Sequence, residues 1–179
     1  MTDPKVAEIR QVTTGPPRMA AVWCPDWPVI TACAETGHAA TGLVAVLSAN
    51  RVVACSHSAR QHGISRGLRR REAQSRCPDL VLLPRNIAAE ARSFEPILSA
   101  IESIAPGVEI DRPGLAAIGI RGPTKYFGSE TAVLHALTRA ISRHTEDVLI
   151  GVADGAFAAE QAARRGWICL LYTSDAADE

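Results

Sequence analysis

The chain has 179 residues, 47% of them hydrophobic, which is enough for one ordinary core and a small satellite. Lysine and arginine together number 19, as do aspartate and glutamate, so no global charge advertises a nucleic acid or a membrane surface, and such a partner has to be met by a local patch. Five cysteines without a C-x-x-C pair argue against a zinc knuckle or a disulfide framework and fit reduced thiols in the cytoplasm. No apolar run reaches the roughly 18 to 20 residues that a bilayer-spanning helix needs.

Residues 1–18 carry Thr13-Thr14-Gly15-Pro16-Pro17 and no apolar period, which reads as a loose leader. Residues 19–24 read as a buried strand stopped by Pro25 and Pro28, and residues 29–35 as a short helix closed by Gly37. Two β-rich runs follow, 43–48 and 52–55, at hairpin spacing with Ala49-Asn50-Arg51 between them. A basic stretch holds Arg60, Arg66, Arg69, Arg70, Arg71 and Arg76 against Glu72, punctuated by Gly63 and Gly67, and ends in the apolar run 77–84. Residues 36–84 therefore read as a small unit inserted into a larger one.

The remainder predicts a helix at 88–104, strands at 108–111 and 115–120, a helix at 129–144, a strand at 148–152 and a helix at 155–165. Ile87, Phe94, Leu98, Ile101 and Ile104 recur at three- and four-residue steps, as one buried stripe requires. The order β-α, insertion, α-β-β-α-β-α predicts an α+β fold of the split β-α-β, ferredoxin-like kind. Its sheet is antiparallel-rich, with helices on one face. Sheets of this kind serve as the palm of polymerases and cyclases, where acidic residues at strand ends hold two magnesium ions that clamp the attacking and leaving oxygens.

Three segments carry a family resemblance. They are Ala-Ala-Val-Trp-Cys-Pro-Asp-Trp-Pro-Val, the arginine-rich run from Arg51 to Leu80 that includes Ser-His-Ser-Ala-Arg-Gln-His-Gly, and Gly-Val-Ala-Asp-Gly-Ala-Phe-Ala-Ala. Together they resemble the Y-family DNA polymerases, and within that family they are most similar to the ImuB mutagenesis proteins, over residues 19–166. The resemblance implies a palm in two parts, 19–35 and 85–166, around a fingers domain at 36–84.

Active members of that family open with a strand ending in a metal-binding aspartate, which falls here on Cys24, with the next acidic position at Asp26. A later Asp-Glu pair falls on Gly114 and Leu115. A thiol, a hydrogen and an isobutyl group thus stand where carboxylates are needed, and a thiol is a poor ligand for a hard cation. Asp26 alone cannot assemble a two-metal site. Asp111 and Glu109 lie nearby but out of register, and an odd slip of the strand would invert its faces. The resemblance therefore implies a non-catalytic, DNA-binding scaffold of a damage-inducible translesion complex, without a cofactor and located on the nucleoid. Its partners would be DNA, the sliding clamp, an ImuA-type protein and a C-family error-prone polymerase. The rival expectation is an active, Mg2+-dependent polymerase using Asp26, Asp111 and Glu109; a third is a fragment without independent function.

Arg60 matches the family's fingers arginine that contacts the incoming triphosphate, with His57 where a tyrosine usually stands; a capping or surface arginine is the plain alternative. Arg69, Arg70 and Arg71 fall in a region that resembling proteins use near the template, and clustered arginines bind phosphates without reading sequence. A solvated helix face is the competing reading, and at most two of the three can face one strand of nucleic acid. His57, His62 and Cys55 lack the spacing and the fourth ligand of a metal site. Trp23 and Trp27 read as packing residues, and Tyr126-Phe127-Gly128 as a packing turn. Residues 167–179 break the resemblance and look like translated sequencing adapter.

Overall fold

The computed structural model describes residues 15–145 and 147–166, so the expectations for the first fourteen residues and for 167–179 lie outside the described residues. Strand β1 (Arg18–Trp23) leads into helix α1 (Trp27–Thr36). A hairpin of β2 (Val44–Ser48) and β3 (Arg51–Cys55) follows, then the short helices α2 (His57–Gln61) and α3 (Arg70–Arg76) and strand β4 (Val81–Pro84). Helix α4 (Ile87–Glu102), strands β5 (Glu109–Arg112) and β6 (Leu115–Gly119), helices α5 (Arg121–Phe127) and α6 (Glu130–Ile141), strand β7 (Leu149–Asp154) and helix α7 (Ala156–Arg164) complete the chain.

The larger sheet has the order β5-β6-β1-β7 and is antiparallel throughout. Two helical crossovers, β1 to β5 and β6 to β7, make it the split β-α-β sheet that the element order predicts. Side chains alternate across β1 as a pleated strand requires. Ala20 and Val22 join Phe94, Ile97, Leu98 and Ile101 of α4 and Val133, Leu134, Leu137 and Ile141 of α6 in the main core. Met19 and Ala21 face the other way, with Ala117, against Ala159 of α7.

Helices therefore cover both faces, which corrects the expectation of one. The sequence hides this because α7 needs only small residues to seat: a Cβ on Gly151 would lie 2.1 Å from the backbone nitrogen of Ala163. Helix and strand touch backbone to backbone there.

The smaller sheet, β3-β2-β4, pairs β2 with β3 antiparallel and with β4 parallel. Its hairpin turns on two residues rather than three, Ala49 at φ 47° and Asn50 at φ 62°, and Arg51 belongs to the strand. Two successive left-handed residues are what a tight hairpin of matching twist demands.

Three further expectations are corrected. Ile87 is 61% exposed in the first turn of α4, and the buried stripe begins instead at Ala89 and Glu90; the Glu90 carboxylate is bonded at both oxygens by Arg85, at 2.9 Å each. The supposed turn at 126–128 is the end of helix α5, hidden in the sequence by Gly122 and Pro123 and closed by Gly128 at φ 88°. Tyr126 is 85% exposed and meets the Phe127 ring edge-on at 5.0 Å, while Phe127 rests on the main core. Strand β1 begins at Arg18, inside the expected leader, because that guanidinium is held 2.9 Å from Glu130 and 3.4 Å from Asp154.

Candidate functional site

The corner between β1 and α1 lies at the end of the larger sheet nearest the smaller one. Cys24 follows the strand, its amide donating to the carbonyl of Gly114 across the sheet at 2.8 Å. Its side chain is buried, and that burial, with the negative charge of Asp147 adding to it, pushes the thiol up to about 12. It stays a neutral thiol at any physiological pH.

Gly114 turns at φ +88°, and a Cβ on it would sit 2.6 Å from Trp27 Cβ and 3.2 Å from the Cys24 carbonyl. Space for a side chain at Gly114 is thus already filled by Trp27, whose ring stacks edge-on against Phe94 and whose Nε1–H donates to the Glu90 carbonyl at 3.0 Å. Leu115 is buried and borders the α7 side of the sheet with Ala21, Ala117 and Phe157.

Asp26 occupies the N-cap of α1 in the left-handed region, φ 54°, and its carboxylate makes no cap to its own helix. It reaches instead to α2, where both oxygens accept from Arg60, each at 2.7 Å. Arg60 Nη1 also donates to the Cys55 carbonyl at 2.7 Å, which fixes the guanidinium in place. A bidentate pair of this geometry is among the stronger polar contacts available to a protein.

This pair sits in a cleft of about 300 Å³ between the two sheets. Arg60, Arg66, Arg85, Arg112 and Arg164 line it, with Asp26 as its one carboxylate among the described residues. Carboxylates stand behind three of the guanidiniums. Glu90 holds Arg85, Glu160 holds both Arg112 and Arg164, and Asp111 also meets Arg112. Arg164 lies over the Trp23 ring, 5.0 Å from its centre, a cation–π contact. Burial raises the pKa of Glu160, but hydrogen bonds from Arg112 and Arg164 outweigh it and hold the carboxyl below its ordinary value.

Of the sequence-derived site residues, the cleft brings together Cys24, Asp26, Arg60 and Gly114. His57 lies outside its lining, exposed on α2 against Gln61 Nε2 at 3.1 Å. Arg69, Arg70 and Arg71 form an exposed edge at the start of α3, without an ion-pair partner among the described residues, and Arg69 bridges to Arg51 through the backbone. Glu109 and Asp111 border a second cleft beside α7, with Glu160 and Phe157, and not the one that holds Asp26.

The sequence reading does not single out Arg85, Arg112 or Arg164, which come from three separated elements. A signal was available for one of them: Arg112 ends β5 just before the Pro113-Gly114 turn into β6, at the sheet end where β1 delivers Cys24.

A split β-α-β palm joined to a small arginine-rich sheet is the architecture of a template-directed polymerase's palm and fingers. The impB/mucB/samB family model matches residues 31–164, and the chain belongs to that family. Among solved structures it is similar to one described as the insertion ternary complex of Dbh DNA polymerase. That pair is 14% identical with a TM-score of 0.72, covering 83% of this chain and 46% of that one. It is also similar to DinB from Sulfolobus solfataricus, at 16% identity and a TM-score of 0.68, covering 83% and 45%. These neighbours are Y-family polymerases, identity this low speaks for the fold, and the chain spans under half of their length. No curated protein matches this chain.

Magnesium is the metal such a fold implies. The residues at the corner do not fit it: Cys24 is a buried neutral thiol, Gly114 has no room for a side chain, Leu115 is apolar, and Asp26 is engaged by Arg60. Magnesium takes six oxygens in an octahedron, with one or two free carboxylates anchoring it to the protein, and the one carboxylate lining this cleft among the described residues is bound to Arg60. Among the described residues no three His, Cys, Asp or Glu side chains are grouped to hold a metal ion.

Proposed function

We propose that this chain is the palm-and-fingers portion of a non-catalytic, ImuB-like member of its family, which grips DNA through its phosphates and scaffolds a damage-inducible translesion complex. The observation that carries the reading is the corner itself, where the three expected carboxylate positions are Cys24, Gly114 and Leu115, and the remaining acid, Asp26, is committed to Arg60. Two-metal transfer needs carboxylate oxygens that bridge both ions, and the two that Asp26 brings to this corner are held by Arg60. The rival reading, an active polymerase built on Asp26, Asp111 and Glu109, draws little support because those carboxylates border different clefts.

The DNA-binding half of the proposal is supported by the exposed arginines Arg66, Arg69, Arg70 and Arg71, which have no protein anion to neutralise them among the described residues. Clustered guanidiniums release counterions from a phosphate backbone. The resemblance adds the sliding clamp, an ImuA-type protein and a C-family polymerase as partners of the longer relatives, and a place on the nucleoid. No described helix is long and apolar enough to cross a membrane.

Primer extension with Mg2+ and with Mn2+ tests the catalytic half: the expected outcome is no template-directed incorporation. Incorporation that Asp26→Ala abolishes contradicts it. Filter binding of primer–template across a salt series tests the other half. The affinity is expected to fall steeply with salt, with log K dropping by about 0.9 per phosphate contact for each log unit of salt. A fragment without function binds at no salt concentration.

A further inference from the structure

The carboxylate of Asp26 behaves in an unusual way for a residue at its position. An aspartate at an N-cap ordinarily accepts from its own helix, yet this side chain makes no cap, sits on a left-handed backbone at φ 54°, and reaches across to Arg60 of α2. Both of its oxygens are spent on Arg60. The other guanidiniums that line the cleft either have their carboxylates outside the lining or, in the case of Arg66, have none among the described residues. Asp26 alone places its negative charge inside the space that the five arginines surround.

We propose that Asp26 is a built-in counter-ion that closes this cleft to phosphate anions by occupying Arg60, so that it sets how tightly the cleft takes a polyphosphate. The charge balance makes the effect large. Five guanidiniums face four carboxylates, counting Glu90, Glu160 and Asp111 behind them, an excess of one positive charge that doubles when Asp26 is neutralised. The Arg60 side chain is 43% exposed, so solvent moderates the change to that expected of a partly solvated site. A phosphate presents the same planar pair of acceptors to a guanidinium as a carboxylate does, so the anion competes for the very donors that Asp26 holds. Arg66 belongs both to this cleft and to the arginines on which the DNA-binding proposal rests, whereas Arg69, Arg70 and Arg71 lie outside the cleft lining.

The test is calorimetric titration of the full chain with inorganic tripolyphosphate, in buffer containing a chelator. Asp26→Asn is expected to tighten binding about tenfold, one charge's worth of attraction in a partly solvated site. Asp26→Ala, which frees Arg60 by truncation instead of neutralisation, is expected to give the same gain, and Asp26→Glu, which keeps the charge, no gain. Adding Arg60→Gln to Asp26→Asn removes the gain. A purely structural role for Asp26 cannot raise affinity, so unchanged or weaker binding in folded Asp26→Asn or Asp26→Ala protein, checked by circular dichroism, overturns the proposal. So does a gain that survives Arg60→Gln. Loss of DNA binding by the wild-type chain, with the tripolyphosphate pattern intact, overturns the proposed function and leaves this inference standing.

Discussion

The two sheets of this molecule are held together in different ways. The larger one rests on Phe94, Ile97, Leu98, Ile101, Leu137 and Ile141, long side chains on two crossover helices that interlock beneath β1, β6 and β7. The smaller one closes over shorter side chains, Ala45, Val52, Cys55, Ala59, Ala73 and Cys77 with Ile64 and Leu80 on one face, rimmed by half-buried leucines, and Val44, Val46 and Leu83 against Val29 and Ala32 of α1 on the other. Around that modest core it displays guanidiniums, several pinned to backbone carbonyls, such as Arg51 to Gly67 at 2.8 Å and Arg76 to Gly63 at 2.9 Å. Both sheets are buried by apolar side chains, but the helices and loops around the smaller one also present positive charge, with Asp26–Arg60 and Arg85–Glu90 as ties near the boundary.

The sharpest way to break this contrast is Gly151→Ala. The new methyl meets backbone of α7 at 2.1 Å and 2.4 Å, and no rotamer can relieve a backbone clash. Loss of the folded state, read by circular dichroism, is expected. Phe94→Ala should cost about 3–5 kcal/mol in urea unfolding, because it empties the main core. Val52→Ala in the smaller sheet should cost about 2 kcal/mol, the loss of two buried methyl groups with a small cavity. Equal losses at the two sites contradict the contrast between the two cores.

The buried thiol gives a pH test. Cys24 is raised from 9.0 to about 12, chiefly by burial, so the unfolded chain releases this proton before the folded one does. Its contribution to stability is complete below pH 9 and is lost as pH rises toward 12. Cys24→Ala should flatten the alkaline limb of a stability–pH profile, and Cys24 should resist alkylation at pH 8. The smallest expected effect on stability is at the exposed edge: Arg69→Gln, Arg70→Gln and Arg71→Gln should each change unfolding by less than about 0.5 kcal/mol while lowering the salt slope of DNA binding.

Much of the fold is legible in the sequence because its elements obey local rules. Ser129 and Asn86 cap their helices, Gly37 closes α1, and the three-and-four spacing of Phe94, Leu98 and Ile101 marks a buried stripe. Where local rules mislead, a long-range contact decides. Helix α7 crosses to the far face through Gly151, a residue whose importance lies in having no side chain. Ile87 ranks as core by spacing, but Glu90 takes the inner position because Arg85 neutralises it.

The site divides in the same way. The corner residues Cys24, Asp26 and Gly114 belong to short motifs and can be found in the chain. The cleft is closed by Arg85, Arg112 and Arg164 from β4's exit, a hairpin turn and the end of α7, which only folding brings together. Asp26 illustrates the limit, since its partner lies 34 residues away on α2, and nothing in the local sequence announces the pair.

Manganese titration followed by electron paramagnetic resonance, on the full chain with primer–template and an incoming nucleotide, tests the central claim most directly. The account predicts that the protein adds no spin-coupled pair of Mn2+ ions to what the nucleotide binds by itself. A coupled pair that appears with the wild-type chain and disappears with Asp26→Ala contradicts it.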